Sequence, residues 1–266
     1  MRAFRVAYDG RPYYGFQRQP DVETVEGTLL AALDRLDVTD GDVPAEYAAA
    51  GRTDAGVSAV AQTVAFEAPE WLSPSAFNSE LPASVRAWAS AEVPPAFHAT
   101  HDASERRYTY YLHAPDADDD LSRAALSALT GDHDFHNLTP DAEGTRRTLD
   151  GALTRDGPFL VVRLEAGGFC RQLVRRVVGL LAEVARGESP LGKVDRVLAN
   201  APLEGPDGVA PAPAYPLVLT GVQYPEVTFE PDPEAAASAR EVFADLRAER
   251  RAGARVADSV LDGLER

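Results

Sequence analysis

The sequence predicts an α/β (α+β) fold of two halves, each with a mostly antiparallel sheet and helices on one face. Two observations carry this expectation. Short runs with apolar residues at alternate positions are interleaved with segments whose apolar residues recur at helical spacing, and the second half of the 266 residues repeats the order of the first.

The elements follow in chain order. Arg2–Tyr8 sets Phe4, Val6 and Tyr8 on one side of a strand, and Asp9-Gly10 ends it with turn chemistry. Thr24 is placed to cap a helix in which Val25, Leu29, Leu33 and Leu36 share a face. Thr63–Glu67 returns to strand, Pro74–Leu81 reads as a short helix stopped by Pro82, and Val85–Val93 and Arg106–His113 read as strands. Pro115–Asp120 is a loop or helix start whose carboxylates lack the glycine and closing glutamate of a calcium loop. Helices are expected at Leu121–Leu129 and Arg171–Arg186, strands at Phe159–Glu165 and Leu217–Tyr224. After Pro225 the composition turns acidic and alanine-rich, and Pro233–Arg266 reads as a peripheral helix. The expected units are an N-terminal half, 1–103, a second half, 104–225, and an extension, 226–266.

Composition narrows the function. With Cys170 the only cysteine, no intramolecular disulfide forms and a reducing interior is the simplest address. The most apolar stretch, Val177–Val184, is interrupted by Gly179 and Glu183, so neither a secretion signal nor a membrane span is expected, and the protein reads as cytoplasmic. The formal net charge is −16, and 25 of the 26 basic residues are arginine, Lys193 being the exception. Such a surface resembles proteins of high-salt cytoplasm, where screening makes self-repulsion tolerable. Taken alone, the acidity argues against a nucleic-acid partner.

Three places could carry chemistry. In GRTDAGVSA, residues 51–59, Arg52 and Asp54 stand in a frame of small residues that lets the backbone turn sharply and a large group come close; a carboxylate there also reads as an Asx-turn or helix cap. Arg171, Arg175 and Gly179 fall at i, i+4 and i+8 of the predicted second-half helix, with Gly179 leaving open space beyond Arg175. In Arg106–Tyr111, strand alternation puts Tyr108 and Tyr110 on one face and Arg107, Thr109 and Tyr111 on the other, a mixture of guanidinium and aromatic groups that suits a stacked base and its phosphate as well as a core. A rival is a metal-dependent hydrolase built on His98, His101, His133 and His136. The His98–His101 segment follows Pro94-Pro95 and shows no helical pattern to aim both rings together, so no metal is expected.

Read in order, the blocks YDG (8–10), YGFQRQP (14–20), TVEG (24–27), GRTDAG (51–56), NSELP (78–82), FHA (97–99), RYTY (107–110), GDHDF (131–135) and FCRQLVRRVVGLL (169–181) resemble the TruA family of tRNA pseudouridine synthases, here of haloarchaeal character. The resemblance runs from Tyr8 to Tyr224. It implies two ferredoxin-like halves around a central cleft, a homodimer, and isomerisation of uridine to pseudouridine in the anticodon stem-loop of tRNA without cofactor or metal. It implies Asp54 as the nucleophile, Tyr108 as the ring that stacks on uracil and serves proton transfer, and Arg175 as the partner of Asp54. Arg52, Tyr14, Arg18, Arg107, Tyr110 and Arg171 are the expected substrate contacts. Ser58, Thr100, Cys170 and Leu173 depart from the family's usual residues, which leaves details of RNA contact open at Ser58 and Thr100.

The chemistry fits the residue types. Turning a C–N glycosidic bond into a C–C bond requires detaching the base, rotating it and rejoining it through C5 without release. An ionised carboxylate can do this by attacking C6 of the uracil or C1′ of the ribose, or by stabilising charge as a glycal forms. Burial disfavours a carboxylate's charge, and a paired guanidinium restores and orients it. The acidity objection weakens because RNA needs a local basic stripe; Arg5, Arg11, Arg18, Arg52, Arg107, Arg171, Arg175 and Arg176 cluster at the motifs, and Tyr13, Tyr14 and Phe16 offer stacking surfaces. An inactive tRNA-binding module would need a broken Asp54, Tyr108 or Arg175, and a small-molecule α/β hydrolase would need a nucleophile–base pair; the sequence offers neither.

Overall fold

A computed structural model describes residues 1–203 and 205–265; Glu204, within the expected second half, and Arg266, the end of the expected tail helix, lie outside the described residues. Strand β1 (Arg2–Tyr8) lies between β3 (Ser58–Phe66) and β4 (Val85–Glu92), antiparallel to both. Two-residue strands extend this sheet, β2 (Ala48–Ala49) beside β3 and β10 (Glu230–Pro231) beside β4. In the second half β5 (Glu105–His113) lies between β8 (Phe159–Ala166) and β9 (Leu217–Gln223), with β7 (Arg146–Asp156) and β6 (Gly131–Asp134) continuing outward, all antiparallel. A short parallel pairing of β3 with β9, Ser58 opposite Val218, fuses the two expected sheets into one of ten strands.

Helices α1 (Val25–Arg35) and α2 (Pro74–Asn78) serve the first half, α3 (Asp119–Leu129), α4 (Leu173–Ala185) and α5 (Lys193–Leu198) the second, and α6 (Pro233–Leu264) is the tail. Thr24 caps α1 as its position suggests, its side chain accepting from the Gly27 amide, and Val25, Leu29 and Leu33 are buried. Two apolar cores result. The first gathers Phe4, Phe66 and Phe77 with the buried face of α1, and also takes Leu219, Val222 and Tyr224 from β9 and the residue after it. The second gathers Leu126, Leu129, Phe135 and the buried face of α4. Tyr108 packs against both, which sets it on the seam.

The structure corrects several expectations. Strand β3 starts at Ser58 rather than Thr63, because Val60 is exposed while Gln62 is wholly buried, a reversal of the usual apolar alternation. Strand β7 was not expected at all. Its charged and small residues alternate between exposed and half-buried positions, with Leu149 alone fully buried, so its apolar signal is faint. The second-half helix begins at Leu173, not Arg171, because Gln172 takes a left-handed φ of 61° that breaks the predicted i, i+4 relation. Gly179 does not leave open space: a Cβ there would lie 2.2 Å from the Ala210 carbonyl oxygen, so the glycine admits the 210–212 segment against α4. That close approach positions the site.

Candidate active site

The residues 51–57 form a loop whose shape is set by its neighbours. Gly56, at φ +83°, makes the turn, and the loop 10–16 interlocks with it through Phe16 N–H to Thr53 O at 3.0 Å and Gly56 N–H to Tyr13 O at 3.3 Å. A side chain at Gly10 would meet the Val57 carbonyl at 2.0 Å, which explains why the turn after β1 is glycine. Thr53 turns inward and bonds the buried Tyr8 hydroxyl at 2.8 Å, while Asp54, next in sequence, turns outward. Burial pushes the Tyr8 phenol above its ordinary pKa, so this hydroxyl stays protonated as a fixed anchor.

Asp54 meets Arg175 from the first turn of α4, Oδ2 to Nη1 at 2.9 Å. The arginine's Nε–H donates to Ala212 O at 2.7 Å, and its own carbonyl accepts from Ala212 N–H at 2.9 Å. The 210–212 segment that Gly179 admits therefore aims the guanidinium. Both side chains are partly shielded, 17% exposed for Arg175 and 31% for Asp54, so the pair is screened by salt less than a surface ion pair and still open on one side.

That open side is a cleft of about 1250 Å³ lined by Asp54, Arg175, Tyr108, Arg52, Arg171 and Tyr14, among others. Tyr108 stands across the seam with Phe169 edge-on to its ring at 5.1 Å. Its pKa is pushed up to about 12, first by burial and, against the opposing pull of Arg106, by the charge of Asp54. Arg52 and Tyr14 are exposed at the rim, and Arg171, 60% exposed, pairs with Asp141 at 3.3 Å.

Other expected contacts fall elsewhere. Arg107 lies outside the cleft lining, held by Glu165 at 2.5 Å and Glu105 at 3.0 Å. Tyr110 is buried in the second core with its hydroxyl donating to Pro213 O at 3.0 Å. Arg18 is exposed but does not line the cleft. Of the three aromatics expected to offer stacking surfaces only Tyr14 is exposed; Tyr13 and Phe16 are core residues because their loop folds inward onto the first core. Arg5 and Arg176 are also structural, Arg5 lying 4.1 Å from the Phe229 ring centre and Arg176 donating to Val209 O at 2.6 Å. Ser58 accepts from Gly10 N–H at 3.0 Å, and Thr100 donates to Ala49 O at 2.6 Å.

The residue that sequence reasoning missed is Arg106. It lines the cleft beneath Tyr108 and donates to four carbonyls, Ala50, Thr100, Ala103 and Gly167, at 2.5–3.1 Å, so it binds three loops of the cleft together. Its only sequence signal was adjacency to the aromatic run. The rings of His98 and His101 do come together, at 4.2 Å between centres, through a turn in which His101 N–H donates to His98 O, so a helix is not needed to bring them together. Among the described residues no group of three or more His, Cys, Asp or Glu is arranged to hold a metal ion.

Comparison with known proteins decides the family. A model of the family described as tRNA pseudouridine synthase matches residues 125–225. The chain is 65% identical to tRNA pseudouridine synthase A of Haloarcula marismortui over 275 aligned positions, covering 99% of this chain and 100% of the relative. The chain belongs to the tRNA pseudouridine synthase A family. Membership extends to a 61% identical synthase A from Natronomonas pharaonis, covering 98% of each chain, and to a 39% identical one from Methanosarcina acetivorans, covering 84% of each. Three of the blocks, GRTDAG, RYTY and FCRQLVRRVVGLL, thus meet in space at Asp54, Tyr108 and Arg175.

Proposed function

We propose that the chain carries out its family's reaction, isomerising uridine to pseudouridine in the anticodon stem-loop of tRNA, with Asp54 as the nucleophile, Arg175 as the group that pairs with it and aims it, and Tyr108 as the platform for the uracil. The single observation that carries the assignment is the 2.9 Å Asp54–Arg175 pair, shielded behind and open in front onto a cleft that Tyr108 also lines. A carboxylate so held reacts on one side only. The nucleotide flipped from its stem enters that side, which the small residues around Asp54 leave clear.

The bond changes place definite demands on these groups. The N1–C1′ bond breaks, the base turns, the C5–C1′ bond forms, and the proton on C5 leaves while N1 gains one. Asp54 supplies the nucleophile for C6 of the ring or for C1′, or the negative charge beside the sugar left electron-poor when the base departs with its electron pair, and Arg175 fixes the direction in which that carboxylate points. A phenol that keeps its proton to about pH 12 stacks and donates a hydrogen bond; for Tyr108 to take the C5 proton, it must hand on its own in the same step. Arg52 and Arg171 at the rim would take phosphates and Tyr14 a neighbouring base, a role that their exposure on the cleft lining supports.

On this reading the working units are residues 1–103 and 104–225, meeting at the β3–β9 seam, with 226–266 as an extension; the active form is a homodimer in a high-salt cytoplasm. The −16 charge and near absence of lysine support the salt assignment. Among the described residues no helix is long and apolar enough to cross a membrane. The test is to treat unmodified tRNA with the purified protein and map pseudouridine by position. Modification confined to the anticodon stem-loop is expected, and modification elsewhere or none would overturn the reading.

A further inference from the structure

The stretch that leads into β9 lies outside every helix and strand, yet its backbone is held at each step. Ala212 N–H donates to Arg175 O at 2.9 Å, Pro213 O accepts from the Tyr110 hydroxyl at 3.0 Å, Ala214 O from Leu217 N–H at 3.0 Å and Pro216 O from Tyr111 N–H at 3.2 Å. Pro211, Pro213 and Pro216 fix φ at three of its positions. From this stiff support one aromatic side chain, Tyr215, stands out into solvent, 57% exposed.

The ring meets Arg11, whose guanidinium carbon lies 5.2 Å from the ring centre. Arg11 sits on a second tight turn, in which its own N–H donates to Asp9 Oδ1 at 3.2 Å and Tyr13 N–H donates to Gly10 O at 3.0 Å. The chain has 42 acidic residues against 26 basic ones, and Arg107 and Arg171 have both found carboxylates. The exposed Arg11 guanidinium has not: among the described residues it is in no ion pair and donates to no protein acceptor, and the Tyr215 hydroxyl has no hydrogen-bond partner either. Both turns press on the Asp54 loop. Gly10 lies against the Val57 carbonyl, and a Cβ on Gly56 would be 3.5 Å from Ala214 Cβ and 3.9 Å from Tyr215 N. Arg11 and Tyr215 thus stand beside residues 51–57 but outside the cleft lining.

We propose that Arg11 and Tyr215 form a second nucleotide-binding platform for the same tRNA, taking an unpaired base and its phosphate outside the cleft while the target uridine is inside it. The proposal rests on the tRNA reading above. A guanidinium over one face of the ring leaves the other face for a base, and its free N–H groups suit phosphate oxygens. A protein carboxylate would answer the guanidinium and leave the ring uncovered; a nucleotide answers both. Because the two turns are fixed before RNA arrives, little ordering opposes binding.

Filter binding of unmodified tRNA transcript to the full-length chain, across the KCl range that keeps the fold, tests the platform. Tyr215→Ala should weaken binding about tenfold at every salt concentration, and Tyr215→Phe should not, since the ring and not the hydroxyl meets the base. Arg11→Gln should lower the slope of log affinity against log KCl by about one, the signature of one lost phosphate contact. In Tyr215→Ala and Arg11→Gln the loss of affinity should exceed any change in turnover at saturating tRNA. Wild-type affinity in Tyr215→Ala, or a wild-type slope in Arg11→Gln, would overturn the platform. So would a Tyr215→Ala protein that loses saturated turnover as much as affinity, which would make Tyr215 a brace for Ala212 and Arg175, or one whose self-association in sedimentation falls by the same factor, which would give the pair to a protein contact. Absence of pseudouridine from wild-type reactions would count against the synthase reading and leave these binding outcomes as they stand.

Discussion

Asp54 and Arg175 are 121 residues apart in sequence and 2.9 Å apart in space, and each needs the other. Asp54→Asn keeps the shape and a hydrogen-bond acceptor but removes the charge, so fold and tRNA binding should persist while turnover falls by about three orders of magnitude or more, as single-turnover assays would show. Wild-type turnover in that protein would remove Asp54 from the mechanism. Arg175→Ala strands the carboxylate and frees the Ala212 carbonyl; with both partners only partly shielded, the loss should be about 2–3 kcal/mol, between the values for exposed and buried pairs. Urea unfolding measures it. Tyr108→Phe should keep stacking and tRNA affinity yet slow the proton step, whereas Tyr108→Leu should lose both. The phenol's raised pKa means that its protonated contribution to stability is complete below about pH 10, the unfolded value, and fades only as pH climbs toward about 12. Tyr108→Phe and wild type should therefore lose stability in parallel up to about pH 10 and diverge above it.

Elements turn these residues into a site, and here sequence and structure part company in instructive ways. Strand β1 and helix α1 were legible because a period-two or 3.6 pattern met a recognisable end signal, Asp9-Gly10 in one case and Thr24 in the other. Strand β7 was not, since an outer strand whose faces are half-wet has little apolar pattern to read. The acid, the tyrosine and the arginine of the cleft were legible as motif positions. Arg106 was not, because its work is to bind backbone carbonyls, which no side-chain pattern announces. Gly179 was read with the wrong sign for a similar reason: a glycine marks either a void or a close approach, and only the position of the 210–212 segment tells which. Gly179→Ala tests that distinction. Helix propensity favours alanine by about 1 kcal/mol, but a Cβ 2.2 Å from a backbone oxygen must push the segment away, at a cost of about 1–3 kcal/mol or more. A net loss of stability is expected, with a fall in turnover as Ala212 releases Arg175; a stabilised, fully active variant would show that the segment yields freely.

At the scale of the whole molecule, charge sets the conditions under which the site exists. The chain carries −16, and a homodimer about twice that, so in dilute buffer acidic faces repel through a Debye length of roughly 30 Å at 0.01 M salt. At molar salt the length is roughly 3 Å and the repulsion is screened. The inner ion pair is exposed to this change least, being partly shielded, and the end of α6 from Arg247 onward most, being exposed throughout its described residues. Salt should therefore act in order: lowering KCl first loosens the proposed homodimer, then the fold, and the Asp54–Arg175 pair fails only with the fold around it. RNA binding pulls the other way, since counterion release weakens phosphate contacts as salt rises. With Arg107 held by Glu105 and Glu165, and Arg5 and Arg176 bound to the protein's own groups, Arg52 and Arg171 are the exposed arginines lining the cleft, and stacking there should carry more of the affinity. Pseudouridine yield should thus rise with KCl over the range in which circular dichroism and sedimentation show fold and dimer returning. Full structure and best activity in low salt would refute the high-salt assignment, and the cleft chemistry would stand without it.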